Sequence, residues 1–561
     1  MNTTFFNLSK QLVSLAASDL SIIDKINLTQ IIEYLFTDIS NGHSCSKLSD
    51  LGSSISLSPN EITKLFKKSG IVSDFYINNT APKPLSIVNI DNDYLVYISK
   101  YLNYEISIKN QVQLLTKSYI NLNNNYKNSI KLLAEISYNN KLPNIEQLEA
   151  IKTSVHNKLS FITGGPGTGK TTTVTLLLWL FYQIYGFDIK IKLAAPTGKA
   201  SKRVKESIQS NIGALSKYLD MVAINKLLET ESFVTIHKLL GAKNDSIYFR
   251  HNQDNKLDLD ILIIDESSMV SLPLYSKLLE AVDSHTIRHI IFLGDKNQLS
   301  SVEEGYVFAS LITPSKHPDL FTNDGNIGEL VQSKRSSNDI GVLTKAILDN
   351  NLDMIKLMLD NSGNIKLYKP KLNTVLDSYL NLESFNDYLT SAQSNTTNIF
   401  DKFSRQCILC LTNVGLLGSY NLNLQIEKHI KQKLATIDIW YSGRPIIILK
   451  NDYSLGLNNG DIGICVIKNG VIQIVFDDGR GFIPEILPKF DLAYAISIHK
   501  SQGSEFNHAY VVIPYTKCSR ELLYTAVSRA KKFLTIFSTL DIMAVANPTI
   551  RNTGLATAMM R

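Results

Sequence analysis

Cysteine is scarce in this chain, which has five in 561 residues. An odd and scattered set argues against a disulfide framework and predicts a reducing, cytoplasmic environment. Cys407 and Cys410 form a C-x-x-C pair, but a metal site would need a second pair or nearby histidines, and none is close in the sequence. The apolar run at residues 407–411 instead predicts a buried strand.

Long apolar runs and strong charge are also lacking. The longest apolar run, residues 176–182, is far shorter than the roughly 20 residues that span a bilayer, so no membrane partner is expected. The N-terminus lacks a basic segment followed by an apolar core, so no secretion signal is expected. The net charge of +6 is compatible with a polyanionic partner but too small to require one.

A glycine-rich loop at residues 164–171 reads Gly-Gly-Pro-Gly-Thr-Gly-Lys-Thr. It follows an apolar run and precedes an apolar helix pattern at residues 172–185, which is the strand, loop and helix context of a phosphate-binding loop. Glycines let backbone N–H groups face phosphate oxygens, and the helix N-terminus adds positive potential. Lys170 would reach the β- and γ-phosphates and the Thr171 hydroxyl would hold Mg²⁺, so ATP and Mg²⁺ are the expected cofactors.

Acidic, amide and basic side chains complete the predicted catalytic set. An apolar strand ends at Asp265 and Glu266, where the first acid would hold Mg²⁺ and the second would polarise the attacking water. The next strand leads to Gln298, whose amide would sense the γ-phosphate or water. An arginine near the transferred phosphate typically adds about 10³–10⁵ in rate, and Arg335 and Arg529 are the candidates. Taken singly, an arginine is more often a solvated side chain, so only the motif setting makes these two candidates.

The first half of the chain shows two kinds of pattern. Residues 1–110 have helix-period apolar spacing, which predicts a helical N-terminal domain, and a polar stretch makes residues 111–140 a predicted linker. From residue 141 to residue 340, short apolar strands alternate with helical patterns, which predicts a parallel sheet covered on both faces. Residues 242–257 suggest a small hairpin within this first motor domain.

The alternation of strands and helices resumes in residues 341–561, which predicts a second motor domain. Within it, residues 444–488 contain several short apolar runs separated by Asn-Gly and Asp-Gly turn signals. These signals predict a small β-barrel-like insertion.

Together these blocks resemble the Superfamily 1 helicases, in order and spacing over about residues 140–540. The matching blocks are residues 164–171, 194–200, 265–268, 294–299, 335, 499–506 and 524–529. The Thr-Ile-His and His-Lys-Ser-Gln-Gly segments are most similar to the branch that moves 5′ to 3′. The resemblance implies an α/β chain with two RecA-like phosphate-loop motor domains on parallel sheets, a helical N-terminal domain and a small SH3-like β insertion.

The resemblance also implies residue roles. Gln147 would contact adenine, while Gln298, Arg335 and Arg529 would surround the γ-phosphate from both motor domains. The implied nucleotide-binding residues are Gln147, Gly164, Gly165, Pro166, Gly167, Thr168, Gly169, Lys170, Thr171 and Thr172. The implied single-stranded DNA contacts are Pro196, Thr197, Thr235, His237, His499, Ser501, Gln502 and Thr525. Ser267 stands where alanine is commoner in the family, and the similar size of the two residues predicts no loss of activity.

Within this branch, the chain is most similar to the motor subunit of a heterotrimeric helicase-nuclease that unwinds DNA ends in double-strand break repair and recombination. By that resemblance, residues 1–110 dock onto one of two partner subunits, and the nuclease site lies in the other. Two alternatives stay open: a stand-alone helicase of the same branch, and a nucleotide-switched clamp that binds DNA without unwinding it. Nothing in the sequence reads a 2′-hydroxyl, so an RNA substrate stays open as well.

Overall fold

In the computed structural model, four sheets are arranged along the chain. The structure describes residues 3–74, 83–90, 93–117, 120, 122, 124–140, 142–243, 246–301, 303–313, 325–332, 339–394, 398–452, 454–514, 518–539, 548–549 and 551–555. Over these residues, no helix combines the length and the apolar character that crossing a bilayer requires.

The N-terminal unit contains helices and a sheet. Its elements are α1 (Thr3–Val13), α2 (Ile22–Ser40), β1 (Ser46–Lys47), α3 (Leu48–Ile55), α4 (Pro59–Ser69), β2 (Val72–Asp74), β3 (Leu85–Ile90), β4 (Asp93–Ile98) and α5 (Ser99–Thr116). Capping boxes start α2 at Ser21 and α4 at Ser58, because each serine accepts from the third helical N–H. The strands form a sheet in the order β1–β4–β3–β2, so the prediction of a purely helical unit was incomplete.

Residues 124–140 form a helix, α6 (Asn124–Asn140), where the sequence predicted a linker. Leu133 and Ile136 on this helix are buried in one cluster with Ile151 and Leu176 of the neighbouring motor. The linker prediction was therefore wrong for these residues. Their many asparagines masked the apolar positions that hold the helix against the motor.

The first motor lobe is built on a parallel sheet, as predicted. Besides α6 it contains α7 (Ile145–His156), β5 (Leu159–Gly164), α8 (Lys170–Tyr185), β6 (Ile191–Ala195), α9 (Gly198–Leu215), α10 (Val222–Glu229), β7 (Phe233–Thr235), α11 (Ile236–Leu240), β8 (Ile261–Ile264), α12 (Leu272–Ala281), β9 (His289–Gly294), α13 (Val307–Leu311) and β10 (Ile327–Leu330). The strand order is β10–β5–β9–β8–β6–β7, with every pairing parallel. Residues 246–260 contain no strand, so the predicted hairpin is wrong for that described segment.

The second motor lobe repeats this design. It contains α14 (Asp339–Leu348), α15 (Leu352–Asn361), β11 (Ile365–Tyr368), α16 (Leu372–Leu380), α17 (Glu383–Gln393), α18 (Ile399–Phe403), β12 (Gln406–Cys410), α19 (Ser419–Leu434), an insertion with β13 (Pro445–Ile448), β14 (Ile462–Lys468), β15 (Val471–Phe476), β16 (Gly481–Phe482) and β17 (Phe490–Leu492), then β18 (Ala495–Ser497), β19 (Phe506–Val512), α20 (Arg520–Val527) and β20 (Ala530–Phe537). The parallel order is β11–β20–β19–β12–β18. The insertion pairs antiparallel in the order β16–β15–β14–β13–β17.

The C-terminal segment, residues 551–555, returns to the junction between the N-terminal unit and the first motor lobe. The Asn552 N–H donates to His43 Nδ1 at 2.9 Å, and the Thr553 hydroxyl donates to Glu105 at 2.7 Å. The Arg551 guanidinium donates to the carbonyls of Ser301 and Gly305 in the first motor lobe. The segment therefore bridges two units from the far end of the chain.

Candidate active site between the motor lobes

A cleft of about 330 Å³ lies where the carboxyl ends of the first motor lobe's strands face the second lobe. Most of the predicted nucleotide-site residues line it. They are Gln147, Gly165, Pro166, Gly167, Gly169, Lys170, Thr171, Thr172, Asp265, Glu266, Gln298 and Arg529. The cleft brings together segments that are more than 350 residues apart in the sequence, which local pattern alone does not reveal.

The phosphate-binding loop joins β5 to α8 and is held by its own hydrogen bonds. Gly167 and Gly169 have φ of +77° and +87°, a conformation that favours glycine. Lys170 Nζ donates to the carbonyl of Gly164 at 2.5 Å and to that of Gly165 at 3.2 Å. The Thr168 hydroxyl also donates to the Gly165 carbonyl, at 2.9 Å. The loop is therefore ordered around the lysine that would meet phosphate.

Gln147 is buried against this loop. Its Oε1 accepts from the Asn144 N–H at 3.0 Å, closing the capping box of α7, and its Nε2 lies 3.3 Å from the Thr168 carbonyl and 3.4 Å from that of Gly169. A side chain at Gly169 would put its Cβ 2.1 Å from Gln147 Nε2. Through Gln147, α7 thus packs against the phosphate loop and holds it in place. Adenine contact by Gln147 stays a prediction.

The two acids of the predicted pair follow β8. The Asp265 N–H donates to the Ala194 carbonyl at 2.9 Å, and the Glu266 N–H donates to Asp265 Oδ1 at 2.8 Å. Burial, then the adjacent Glu266 charge, raises the pKa of Asp265, while Lys170 opposes the shift. Ser267 is fully buried, and its hydroxyl donates to the Ile264 carbonyl at 2.9 Å, so the departure from alanine leaves no unsatisfied group.

Asp295 lies at the end of β9 and was not singled out from the sequence. It is buried and accepts from the Tyr524 hydroxyl of the second lobe at 2.8 Å and from the Asn297 N–H at 3.0 Å. Burial raises the pKa of Asp295. Gln298, three residues on, is also buried and lines the cleft. The Gly-Asp-x-x-Gln motif is recognisable in the sequence, but the tyrosine that donates to Asp295 lies far from it along the chain.

Arg529 enters the cleft from the second lobe. It is buried; its Nε donates to the Thr525 carbonyl at 3.1 Å and its Nη1 to the Ser504 carbonyl at 3.2 Å. Its Nη2 has no hydrogen-bond partner among the described residues. Burial lowers the pKa of the guanidinium, which the Glu266 carboxylate opposes. Arg335, the other predicted arginine, lies outside the described residues.

The predicted DNA contacts divide into two groups. In the first lobe, Thr197 caps α9 and Thr235 caps α11, each by accepting an N–H, and His237 lies edge-on to Phe249. Pro196 is next to Thr197 and partly exposed, and His499 is exposed on the second lobe. These positions leave side chains or backbone accessible along the carboxyl ends of the strands.

The second group is buried in the second lobe, and two of its three members contact the first lobe. Ser501 and Thr525 have no exposed surface, and Gln502 has 8%. The Thr525 hydroxyl accepts from the Leu299 N–H at 3.0 Å, and Gln502 Nε2 donates to the Leu299 carbonyl at 3.3 Å. The Ser501 hydroxyl donates to the Ile498 carbonyl at 2.6 Å, so both hydroxyls are bonded to protein, and DNA contact by Ser501 and Thr525 stays a prediction. Thr525 and Gln502 connect the second lobe to the residue after Gln298.

Comparison with known proteins agrees with this architecture. A family described as an AAA domain matches residues 147–304, and one described as a UvrD-like helicase C-terminal domain matches residues 492–537. The RecBCD enzyme subunit RecD of Haemophilus influenzae is 33% identical over 464 residues, covering 73% of this chain and 71% of that protein. The same subunit of Buchnera aphidicola is 33% identical over 452 residues, covering 72% and 73%.

Two parallel-sheet lobes that enclose a phosphate-binding loop, the second matching a helicase domain, define an ATP-hydrolysing DNA helicase. The 33% sequence identity over most of both chains also identifies the family within this class. The chain belongs to the family of RecD subunits of the RecBCD enzyme.

Proposed function

We propose that this chain is the 5′-to-3′ motor subunit of a RecBCD-type helicase-nuclease, which unwinds DNA ends by hydrolysing ATP between its two motor lobes. One observation carries the proposal: Arg529 of the second lobe lines the same cleft as Lys170 and Glu266 of the first. Nucleotide in such a cleft is held by both lobes only when they are closed together. Hydrolysis would then change the distance between two lobes that each hold DNA.

The oxygen donors in the cleft suit Mg²⁺, which prefers carboxylate, hydroxyl and phosphate oxygens. The Thr171 hydroxyl and the Asp265 carboxylate would hold it, because both line the cleft beside the phosphate loop. Asp265 and Glu266 place two partly buried carboxyls side by side, an arrangement that favours a divalent cation. The ion would supply charge neutralisation of the β- and γ-phosphates.

In the proposed reaction, Glu266 takes the proton from the attacking water, and Gln298 orients that water against the γ-phosphate. Lys170 would exchange its carbonyl partners in the phosphate loop for phosphate oxygens. The Nη2 of Arg529, which has no partner among the described residues, would meet charge that develops on the transferred phosphoryl group. Arg335 is proposed to act with it, from the segment after β10.

Single-stranded DNA is proposed to cross the exposed ends of the strands, over Pro196, Thr197, Thr235, His237 and His499. Hydroxyls, backbone amides and histidines suit contacts to the DNA backbone that ignore base identity. Gln502 and Thr525 would act on DNA binding indirectly, because both bond Leu299 and so connect the two lobes. That contact would carry the nucleotide state of the cleft to the DNA-holding surface.

We further propose partners and a domain division. Residues 1–110 would dock onto a RecC-type subunit, with the nuclease in a RecB-type subunit. Residues 141–340 together with α6 would form the first motor domain, residues 341–561 the second, and the five-stranded insertion an SH3-like module. A cytoplasmic location is proposed because all five cysteines are free thiols.

Strand separation on tailed duplexes tests the function, comparing 5′ and 3′ single-stranded tails with ATP and Mg²⁺. Unwinding from the 5′ tail alone is expected, and unwinding only from the 3′ tail would refute the direction. ATP-dependent DNA binding with no unwinding, both alone and with RecB- and RecC-type subunits, would indicate a clamp. Full unwinding without association with those subunits would indicate a stand-alone helicase.

The matched control is Lys170→Gln, which removes the charge that would meet the β- and γ-phosphates. We expect it to abolish ATP hydrolysis and unwinding with the fold preserved, as circular dichroism would report. Near-normal turnover in this variant would refute the catalytic assignment.

A further inference from the structure

A second arginine, Arg203, crosses between the lobes at the same cleft. It lies on α9 of the first lobe, and its Nη1 donates to the Gly503 carbonyl of the second lobe at 2.5 Å. Its Nη2 lies 2.9 Å from Glu505 Oε2. Gly503 has φ of +69°, and a Cβ there would lie 3.9 Å from that of Ala200, so this turn lies within van der Waals reach of the start of α9.

The turn that Arg203 holds is also the turn that holds Arg529. Arg203 bonds residues 503 and 505, while Arg529 Nη1 bonds the carbonyl of the residue between them, Ser504, at 3.2 Å. Both arginines line the cleft. Three consecutive residues of one turn therefore connect an arginine of the first lobe to an arginine of the second.

The negative charge of Glu505 explains how the cationic side chains around this turn can lie close together. Glu505 pairs with Arg203 at 2.9 Å and with Lys531 at 3.3 Å, and its carboxylate also opposes the loss of charge on Arg529. The planar guanidinium of Arg203 reaches a carbonyl and a carboxylate at once, which a lysine ammonium does with less geometric control.

We propose that Arg203 is a positioning residue for ATP hydrolysis: it fixes residues 503–505 across the lobes and thereby aims Arg529 at the γ-phosphate. This inference rests on the proposed function and adds to it a residue that the motifs did not single out. Because Arg203 acts through Arg529, its removal lowers the rate of the chemical step more than it weakens ATP binding.

The first test is steady-state ATP hydrolysis with single-stranded DNA present. We expect Arg203→Ala to lower kcat by about 10–100-fold and to change KM by less than about threefold. Arg203→Lys should recover only part of the loss. The matched control is Lys202→Ala on the same helix, because Lys202 also forms a cross-lobe ion pair, with Asp477 at 2.6 Å, but one that is exposed and does not touch residues 503–505. An equal loss in both variants, or a normal kcat in Arg203→Ala, would overturn the proposal.

A double-mutant cycle separates positioning from direct contact. In an Arg529→Ala background, adding Arg203→Ala should lower kcat by less than about twofold, because the residue through which it acts is already gone. A full additional loss would show that Arg203 acts independently, and the proposal would then be wrong.

Binding of fluorescent ADP, with and without aluminium fluoride, gives the same comparison where turnover is too slow to measure. Arg203→Ala should weaken the aluminium fluoride complex and leave ADP affinity within about twofold. Equal weakening of both would contradict positioning. The unmodified chain and Lys170→Gln distinguish failure of the proposed function from failure of this inference. If the unmodified chain itself hydrolyses no ATP, the proposed function has failed. A normal unmodified chain together with a normal Arg203→Ala variant refutes this inference alone.

Discussion

Glu266 adopts a backbone conformation that is rare for its residue type, with φ of +51°. A non-glycine residue in this left-handed region costs of the order of 1–3 kcal/mol, so it persists only where the surroundings impose it. Here the N–H of Glu266 is held by Asp265 Oδ1, and Ser267 anchors the next turn through the Ile264 carbonyl. The strain turns the glutamate side chain toward the cleft, where the proposed reaction needs a base.

Glu266→Gln separates binding from chemistry. The amide keeps the size of the side chain but does not accept the proton of the attacking water, so we expect ATP binding to remain while hydrolysis falls by about 10²–10⁴-fold. Equilibrium binding of a fluorescent ATP analogue and single-turnover hydrolysis would report the two steps. Hydrolysis within tenfold of the parent would remove Glu266 from the role of base.

The sequence alone predicted those site residues whose roles follow from a single contiguous segment. The phosphate loop, Asp265 and Glu266 follow apolar strands, and the cleft brings them together as those strands predict. Asp295 and Arg203 were missed because their significance lies in partners, Tyr524 and Glu505, more than 200 residues away. Burial of Thr525 was equally invisible, since a hydroxyl in a motif looks the same whether it faces DNA or protein.

At the scale of elements, the close approach of α7 to β10 shapes the nucleotide cleft. A Cβ on Gly328 would lie 2.6 Å from the Cβ of Ala150 and 2.9 Å from its backbone Cα. On the loop after β10, the N–H groups of Val331 and Gln332 each donate to Glu146 at 2.8 Å. Helix and strand are therefore fixed to each other along the edge of the cleft.

Gly328→Ala tests this contact. The added methyl has no space, so we expect overpacking to destabilise the first lobe by about 1–3 kcal/mol and to raise KM for ATP by displacing α7. Gly213→Ala is the matched control, because Gly213 lies within α9 and a Cβ added there would meet no atom within 4 Å, so alanine should stabilise by about 0.4–1 kcal/mol. Urea unfolding and ATP titration would measure both, and equal stability of the two variants would contradict the packing argument.

Elements built from local apolar patterns were predictable, and those fixed by distant pairing were not. The apolar strands predicted before the phosphate loop, before Asp265 and before Gln298 correspond to β5, β8 and β9. The N-terminal sheet was missed because β1 and β2 have only two and three residues and exist by pairing with β4 and β3. Residues 246–260 have the alternation of a hairpin but no strand partner in the described structure.

At the scale of the whole molecule, the C-terminal segment joins units that are far apart in sequence. Leu555 has no exposed surface and shares a hydrophobic cluster with Ile108 of α5 and Leu278 of α12. The Glu105 carboxyl accepts from Ser44, Tyr97 and Thr553 at 2.6 to 2.9 Å, and burial raises its pKa. The N-terminal unit, the first lobe and residues 551–555 thus share one buried interface.

Leu555→Ala should loosen that interface, because truncation of a buried leucine costs about 2–5 kcal/mol. We expect faster hydrogen–deuterium exchange in α5 and a lower thermal midpoint, with exchange in the second-lobe strands β12 and β19 unchanged. Ile437→Ala, at a side chain that is 96% exposed, is the control and should change neither. Unchanged exchange in α5 would show that the segment contributes nothing to the junction.

The return of residues 551–555 also makes both motor lobes part of one closed loop of chain. The two lobes lie in the sequence between α5 and this segment, and Leu555 of the segment shares a hydrophobic cluster with Ile108 of α5. The same segment bonds His43 of the N-terminal unit and Gly305 of the first lobe. Separating those two units therefore requires contacts made by the far end of the chain to break.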